Sequence, residues 1–131
     1  MESLLRRLLL LFLAGLFLAT GFAASLPPAA RTEIEGLLGR LEMSRCEFQR
    51  NGTWHNPADA KSHLLVKLNY LEERGMVAST EQFIERAATQ SSLSGQPYQV
   101  RCANVAPVPS RAWLLSQLQL MRSAPAAKGA P

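Results

Sequence analysis

The sequence predicts an α+β domain over residues 31–122, with four helices and a small antiparallel three-stranded sheet in the order α-β-β-α-α-β-α. Four segments repeat their apolar residues every three or four positions, which is typical of helices with one buried face. Two short segments, 46–50 and 98–102, instead alternate apolar and polar residues, as half-buried strands do. The pair Asn51-Gly52 follows the first of these segments and predicts a tight hairpin leading into a further strand.

The first helix is predicted to follow a proline-bearing lead-in, residues 24–30, which is too rich in proline to be helical throughout. Thr32 begins this helix, with Glu35 three residues later as its capping-box partner. We expect the helix to end near Ser44. Its predicted buried stripe is Ile34, Leu37, Leu38 and Leu41.

The hairpin is predicted to join strands 46–50 and 53–55 through a type I′ turn, because Asn-Gly supplies the positive φ angles of that turn. The same residues begin a glycosylation sequon, Asn51-Gly52-Thr53, which functions only in a eukaryotic secretory route. Trp54 has two interpretations. We favour a buried ring between the sheet and the helices over an exposed recognition patch shared with Arg50.

The second helix is capped by Asn56 and has Pro57 at its first position, where the missing N–H costs nothing. It ends at Arg74-Gly75, a basic last turn followed by a glycine suited to the left-handed conformation. Its predicted core stripe is Ala60, Leu64, Leu68 and Leu71.

A third helix begins with the cap Ser79 and its partner Gln82, and it precedes a polar loop, residues 90–97. The inward-facing residues predicted for it are Phe83, Ile84, Ala87 and Ala88.

The last part of the chain contributes a third strand, an extended segment over residues 105–109, and a fourth helix that Ser110 is expected to cap. The helix carries Trp113, Leu114, Leu118 and Met121. Residues 123–131 lack large apolar groups, and we expect them to be disordered.

Residues 1–23 have the parts of a secretory signal peptide. Arg6 and Arg7 precede an apolar run, and Gly21 with Ala23 supplies the small residues of a cleavage site. Cleavage is expected after Ala23, with Ser25 as the second choice. The alternative is a retained membrane anchor, since the apolar run is at the short edge of what spans a bilayer. We expect an exported protein with no stable membrane insertion once the signal is removed.

The two cysteines of the mature chain, Cys46 and Cys102, are predicted to form a disulfide, the simplest state of an even pair in an oxidising compartment. A metal site would need these residues with His55 and His63, but no two of them have a metal-binding spacing. We therefore expect no metal or other cofactor.

The net charge of +4 comes from basic and acidic residues that alternate along the helices, without a basic run. This distribution argues against a nucleic-acid partner.

His63, Lys67 and Tyr70 are spaced i, i+4 and i+7, so they share one flank of the second helix. A histidine and a lysine on one flank are suited to binding an anion or to acid–base chemistry. The alternative is that the lysine stem and the tyrosine ring cover the edge of the core with their polar ends in water.

The loop serines Ser91, Ser92 and Ser94 raise the possibility of a hydrolase. Nucleophilic catalysis requires a base and an orienting acid beside the serine, and the chain has neither a G-x-S-x-G nor an S-x-x-K motif. We favour loop residues that bond their own backbone.

Four stretches, FQRNG (48–52), A-x-x-HLL-x-KL (60–68), STEQFIE-x-A (79–87) and SS-x-SG-x-PY-x-V (91–100), resemble those of the YfeK-like family of small exported bacterial proteins of uncharacterised function. The resemblance implies a bacterial periplasmic protein and no particular activity. On the matched positions it singles out Arg50, Asn51, Gly52, His63, Lys67, Gln82, Ser92, Ser94, Gly95 and Tyr98.

The segment Ser94-Gly95-x-x-Tyr98 is also similar to the loop of periplasmic lysozyme inhibitors in which Ser and Tyr enter the enzyme's cleft. The positive charge and the helix-rich remainder fit that class poorly.

We expect a small periplasmic, non-catalytic binding module whose partner is an unknown protein or an anionic ligand in the cell envelope. Inhibition of lysozyme-type cell-wall hydrolases and a small periplasmic hydrolase are the alternatives. The candidate binding residues are Arg50, Asn51, His63, Lys67, Ser92, Ser94 and Tyr98.

Overall fold

The computed structural model describes residues 25–124 of the chain, which contain four helices and four strands. The predicted signal peptide and residues 125–131 of the predicted disordered tail lie outside the described residues. The elements are α1 (Pro28–Met43), β1 (Glu47–Arg50), β2 (Thr53–His55), α2 (Pro57–Glu73), α3 (Thr80–Ala87), β3 (Gln99–Arg101), β4 (Val108–Pro109) and α4 (Ser110–Ser123). The α+β class is confirmed.

The sheet has four antiparallel strands in the order β2-β1-β3-β4, so the prediction of three strands is wrong. The additional strand comes from the segment that we expected to be merely extended, in which Val108 pairs with Val100. Two residues are too short for an alternating pattern to be read from the sequence. Pro109 is accommodated because β4 is an edge strand, where a missing N–H breaks no ladder.

The predicted hairpin is confirmed. Asn51 and Gly52 have φ angles of 50° and 79°, both in the left-handed region that a type I′ turn requires. The turn sets the register of β1 against β2, in which Phe48 lies opposite His55 and Gln49 opposite Trp54.

This register places Trp54 on the face of the sheet away from the core, so the interpretation of a buried ring is wrong. Trp54 shares its face with Gln49, whereas the buried Phe48 points the other way. The guanidinium of Arg101 lies over the Trp54 ring, 4.0 Å from the ring centroid.

The core lies between the inner face of the sheet and the helices. Phe48, Tyr98 and Val100 from the sheet side pack in one cluster with the buried helical residues. Every predicted helical stripe contributes to it. The buried apolar residues of the helices are Ile34, Leu37, Leu38, Leu41, Ala60, Leu64, Leu68, Leu71, Phe83, Ile84, Ala87, Leu114 and Leu118, and the buried Ala88 directly follows α3.

The disulfide between Cys46 and Cys102 is confirmed, with an S–S distance of 2.03 Å. Cys46 directly precedes β1 and Cys102 directly follows β3, and these two strands are neighbours in the sheet. The bond therefore ties the hairpin to the third strand, as the placement of the cysteines predicted.

Helix α1 begins at Pro28 rather than at Thr32, and the predicted capping box is not formed. Pro28 fits the first turn because the N–H that it lacks has no partner there. The carboxylate of Glu35 accepts from Arg31 at 3.0 Å instead of turning back to a backbone N–H.

The caps predicted for α2 and α3 are confirmed. Asn56 Oδ1 accepts from the backbone N–H of Asp59 at 2.9 Å, and Ser79 Oγ accepts from that of Gln82 at 3.1 Å. Gly75, with φ of 61°, ends α2 as expected.

Ser110 does not cap α4, which corrects the prediction. It is the first residue of the helix, its hydroxyl is buried without a partner among the described residues, and Pro109 takes the cap position. The backbone N–H of Ser110 instead donates to the carbonyl of Tyr98 at 2.8 Å, which joins the helix to the sheet.

Candidate functional site

The hydroxyl of Tyr98 is the centre of a hydrogen-bonded cluster. Tyr98 directly precedes β3, its side chain is only 1% exposed, and its ring centroid lies 4.9 Å from that of Phe48. The hydroxyl oxygen lies 3.2 Å from His63 Nε2 and 3.1 Å from Lys67 Nζ. The buried ring therefore holds a polar group at the edge of the core.

Helix α2 presents His63 and Lys67 one turn apart, so both side chains reach the same hydroxyl. Lys67 Nζ also donates to the backbone carbonyl of Gln90 at 3.1 Å. The predicted shared flank is correct for these two residues. Tyr70 lies further along the helix, is 53% exposed, and stacks against the guanidinium of Arg74 at 3.6 Å.

Arg50 completes the cluster from β1. It shares the inward face of the strand with Phe48, two residues earlier, and this face is directed towards α2. Its Nη1 donates to His63 Nδ1 at 2.7 Å. Arg50, His63, Lys67 and Tyr98 are called the basic cluster below.

The hydrogen bonds assign the tautomer of His63. Arginine only donates, so Nδ1 accepts from Arg50 and the proton lies on Nε2, which donates to Tyr98. The Tyr98 oxygen then accepts from both His63 and Lys67. Its own O–H proton is left to bond a further acceptor.

The charges of the basic cluster have no acidic partners among residues 25–124. Eight ion pairs are formed within residues 25–124, and none of them includes Arg50 or Lys67. Asp59 lines the same cavity of about 210 Å³ as Arg50 and His63, but its carboxylate accepts from Asn56 at 3.0 Å.

The pKa values reflect burial and this excess of positive charge. Burial, with Arg50 and Lys67 nearby, lowers the pKa of His63 to about 4, so the ring is neutral at pH 7. Burial and the charge of Arg50 lower the pKa of Lys67, and burial raises the pKa of Tyr98. At neutral pH the positive charge of the cluster comes from Arg50 and Lys67.

The serine loop is fastened to the hairpin tip beside the cluster. Ser94 Oγ donates to Asn51 Oδ1 at 2.6 Å, which joins two of the candidate binding residues. Ser91 is buried and accepts from the backbone N–H groups of Leu93 and Ser94 at 3.3 Å each, as the interpretation of a self-bonded loop expected. Ser92 is exposed and lines a separate cavity with Lys67.

In the described part of the chain, no serine is placed beside a histidine that could act as its base. His63 is bonded to Arg50 and Tyr98, and no serine hydroxyl among residues 25–124 is hydrogen-bonded to either histidine. Over the same range, no three His, Cys, Asp or Glu side chains are grouped so as to hold a metal ion.

A larger cavity, about 620 Å³, lies over the disulfide and is lined by residues of α1 and α4. Its polar side chains Arg40 and Gln117 are hydrogen-bonded to each other at 3.0 Å. It therefore offers a ligand fewer unpaired polar groups than the basic cluster does.

The sequence pattern predicted the hairpin tip and the flank of α2 as separate surfaces, whereas the structure joins Arg50 to His63 and Lys67 as one site. The sequence signal that could have joined them is the alternation of the first strand, which places Arg50 on the same inward face as Phe48. The carbonyl of Gln90, which fixes Lys67, was missed because a backbone acceptor has no signature in residue type.

We expect the basic cluster to make the protein less stable in mild acid. The pKa of His63 falls from 6.5 to about 4 on folding, so the unfolded chain takes up a proton first as the pH is lowered. The stabilisation is complete above pH 6.5 and is lost on the way to pH 4. Urea unfolding of His63→Gln between about pH 7 and about pH 4 is expected to show a shallower loss than the wild type.

His55→Gln is the control for this measurement, because it removes the other histidine of the chain. It is expected to retain most of the slope of the wild type, because His55 is the smallest of the causes that lower the pKa of His63. Equal slopes for the wild type and His63→Gln would contradict the assigned role of His63.

Together, the fold and the site define a small disulfide-bonded α+β protein with a buried tyrosine at the centre of a basic cluster. Residues 28–122 match the model of a family of unknown function (DUF5329), and the chain belongs to that family. This confirms the resemblance drawn from its motifs.

A segment of 66 residues is 39% identical to the uncharacterized protein YfeK of Salmonella typhimurium. The match covers 50% of this chain and 53% of that protein, so the chain spans about half the length of this curated relative. No solved structure matches the chain. Among residues 25–124, no helix is long and apolar enough to cross a membrane.

Proposed function

We propose that this protein is a non-catalytic binding module of the bacterial periplasm that holds an anionic group at the basic cluster. The observation that carries the proposal is the convergence of two cations on Tyr98: Lys67 bonds its hydroxyl directly, and Arg50 is linked to it through His63. Neither cation is paired to a carboxylate within residues 25–124.

The hydrogen-bonding capacity that remains in the cluster consists of donors. Arg50 has further guanidinium N–H groups, Lys67 has a third ammonium proton, and Tyr98 has its own O–H. Such a set is complementary to a ligand group that only accepts, as carboxylate and phosphate do.

An anion at this position also relieves the repulsion between the two cations. Burial and, after it, the charge of Arg50 lower the pKa of Lys67, and the second of these effects is the repulsion between two nearby positive charges. A negative charge beside both interacts favourably with each, and partial burial makes this interaction stronger than it is at an open surface.

The periplasmic location is supported by the predicted signal peptide and by the Cys46–Cys102 disulfide, since such bonds persist in oxidising compartments. N-terminal sequencing of protein from a periplasmic fraction tests it, with Ala24 expected as the first residue. An intact Met1 in the membrane fraction would contradict it.

Binding of acetate, followed by amide chemical shifts in low-salt buffer, tests the anion site. We expect the wild type to bind with a dissociation constant on the order of 1 mM or weaker, because acetate has few atoms. Lys67→Met keeps most of the apolar stem and removes the charge, and we expect it to weaken binding about tenfold or more. Added salt is expected to weaken binding by the wild type.

Lys61→Met is the matched control, because Lys61 lies on the same helix and pairs with Glu42 outside the cluster. It is expected to bind acetate as the wild type does. Equal weakening by both variants, or by neither, would overturn the proposed site.

The two alternatives have less support. Tyr98 is 1% exposed with its hydroxyl bonded to His63 and Lys67, so in this arrangement it does not reach into an enzyme's cleft as an inhibitory tyrosine would. A hydrolase would need a serine or another nucleophile beside a base. Within residues 25–124, neither histidine is bonded to a serine hydroxyl for which it could act as that base.

A further inference from the structure

Beside the basic cluster lies a second cavity, of about 310 Å³, that shares Lys67 with it. Two of its lining residues are apolar side chains with large exposed areas. Val66 is 67% exposed and Tyr70 is 53% exposed. The full lining is Val66, Lys67, Tyr70, Leu71, Arg86 and Ser92.

The rim of this cavity is basic. Arg86 donates to the backbone carbonyl of Met76 and takes part in none of the ion pairs formed within residues 25–124. Lys67 stands between the cavity and Tyr98, with two of its three donors used by Tyr98 and the carbonyl of Gln90. The cavity therefore combines an apolar wall with two cations that pair with no carboxylate in the part of the chain that the structure describes.

We propose that the anion held by the basic cluster is a carboxylate carried on a short apolar group, and that this group occupies the cavity beside Lys67. The inference rests on the proposed function and specifies the class of its ligand. The positive rim is complementary to the carboxylate, and Val66, Tyr70 and Leu71 are complementary to the apolar group.

The size of the cavity limits the ligand. A volume of about 310 Å³ is at the lower end of small-ligand sites, which suits one large apolar side chain or a short acyl chain. Two sources carry this chemistry, namely a short fatty acid and the C-terminal residue of a peptide that ends in an apolar amino acid.

A series of four probes, titrated by chemical shift, separates charge from apolar contact. Acetate has the charge alone, hexanamide has the apolar chain alone, and hexanoate has both. We expect hexanoate to bind about tenfold tighter than acetate, because part of its additional methylene surface is removed from water, and hexanamide to bind far more weakly than hexanoate. N-acetyl-leucine is the peptide arm, and the tighter of hexanoate and N-acetyl-leucine identifies the source.

The double variant Val66→Ser/Tyr70→Ser removes the exposed apolar wall and leaves the basic cluster intact. We expect it to bind acetate as the wild type does and to bind hexanoate no tighter than acetate. Met43→Ser/Leu120→Ser is the matched control, since these apolar residues are 84% and 51% exposed elsewhere on the surface, and it is expected to retain the preference for hexanoate.

The outcomes distinguish the two proposals. Equal affinities of the wild type for acetate and hexanoate would overturn the apolar subsite while the anion site stands. Loss of the hexanoate preference in both double variants would overturn it as well. Binding of neither anion by the wild type would overturn the proposed function and this inference together.

Discussion

Removal of the Cys46–Cys102 disulfide is expected to lower the free energy of unfolding by about 2–5 kcal/mol. The cysteines are 56 residues apart, so the bond restricts a long loop of the unfolded chain and joins β1 to β3 in the folded one. This amounts to a large share of the stability that a small single core supplies. Urea unfolding of the oxidised wild type and of Cys46→Ala/Cys102→Ala measures the difference.

Reductant provides the control for this experiment. It is expected to lower the unfolding midpoint of the wild type and to leave that of the double variant unchanged. Alkylation of two cysteines in the native, non-reduced protein would contradict the disulfide, and equal midpoints for the oxidised wild type and the double variant would contradict its stabilising role.

Tyr98→Ala is expected to lower the free energy of unfolding by about 3–5 kcal/mol, the usual cost of removing a buried aromatic ring. The ring is 1% exposed and packs against Phe48 with 4.9 Å between centroids. Its loss also deprives His63 and Lys67 of the acceptor that their donors share. Chemical denaturation of the variant and the wild type at pH 7 measures the effect.

Tyr98→Phe is the matched variant, because it keeps the ring and removes only the hydroxyl. It is expected to cost about 0.5–1.5 kcal/mol, the contribution of ordinary hydrogen bonds. Any test of the site through Tyr98 should use this variant, since loss of binding by Tyr98→Ala has unfolding as a second explanation. A cost below about 1 kcal/mol for Tyr98→Ala would contradict the burial of the ring.

The parts of the fold that the sequence predicted correctly depend on short-range interactions. The caps at Asn56 and Ser79 involve a partner three residues away, and the Asn51-Gly52 turn depends on the φ angles of two residues. The buried stripes follow from helical periodicity alone. Residue types at fixed spacing are sufficient for such features.

The errors arose where a distant segment decided the outcome. Strand β4 exists because β3 offers it a free edge, and Trp54 is on the outer face because the hairpin register pairs it with Gln49. Ser110 is the first residue of α4 instead of its cap, and its backbone N–H bonds the carbonyl of Tyr98, twelve residues earlier. None of these partners is visible in the local sequence.

By itself, the sequence determined the helices, the hairpin, the paired cysteines and the residue types of the site, because each depends on neighbours along the chain. Only the tertiary structure decided that Arg50 from a strand, His63 and Lys67 from a helix, and Tyr98 beside another strand form one cluster. It also decided that no carboxylate among residues 25–124 pairs with Arg50 or Lys67 and that the pKa of Lys67 is lowered. The reason is that charge and burial depend on distances in space between segments far apart in sequence.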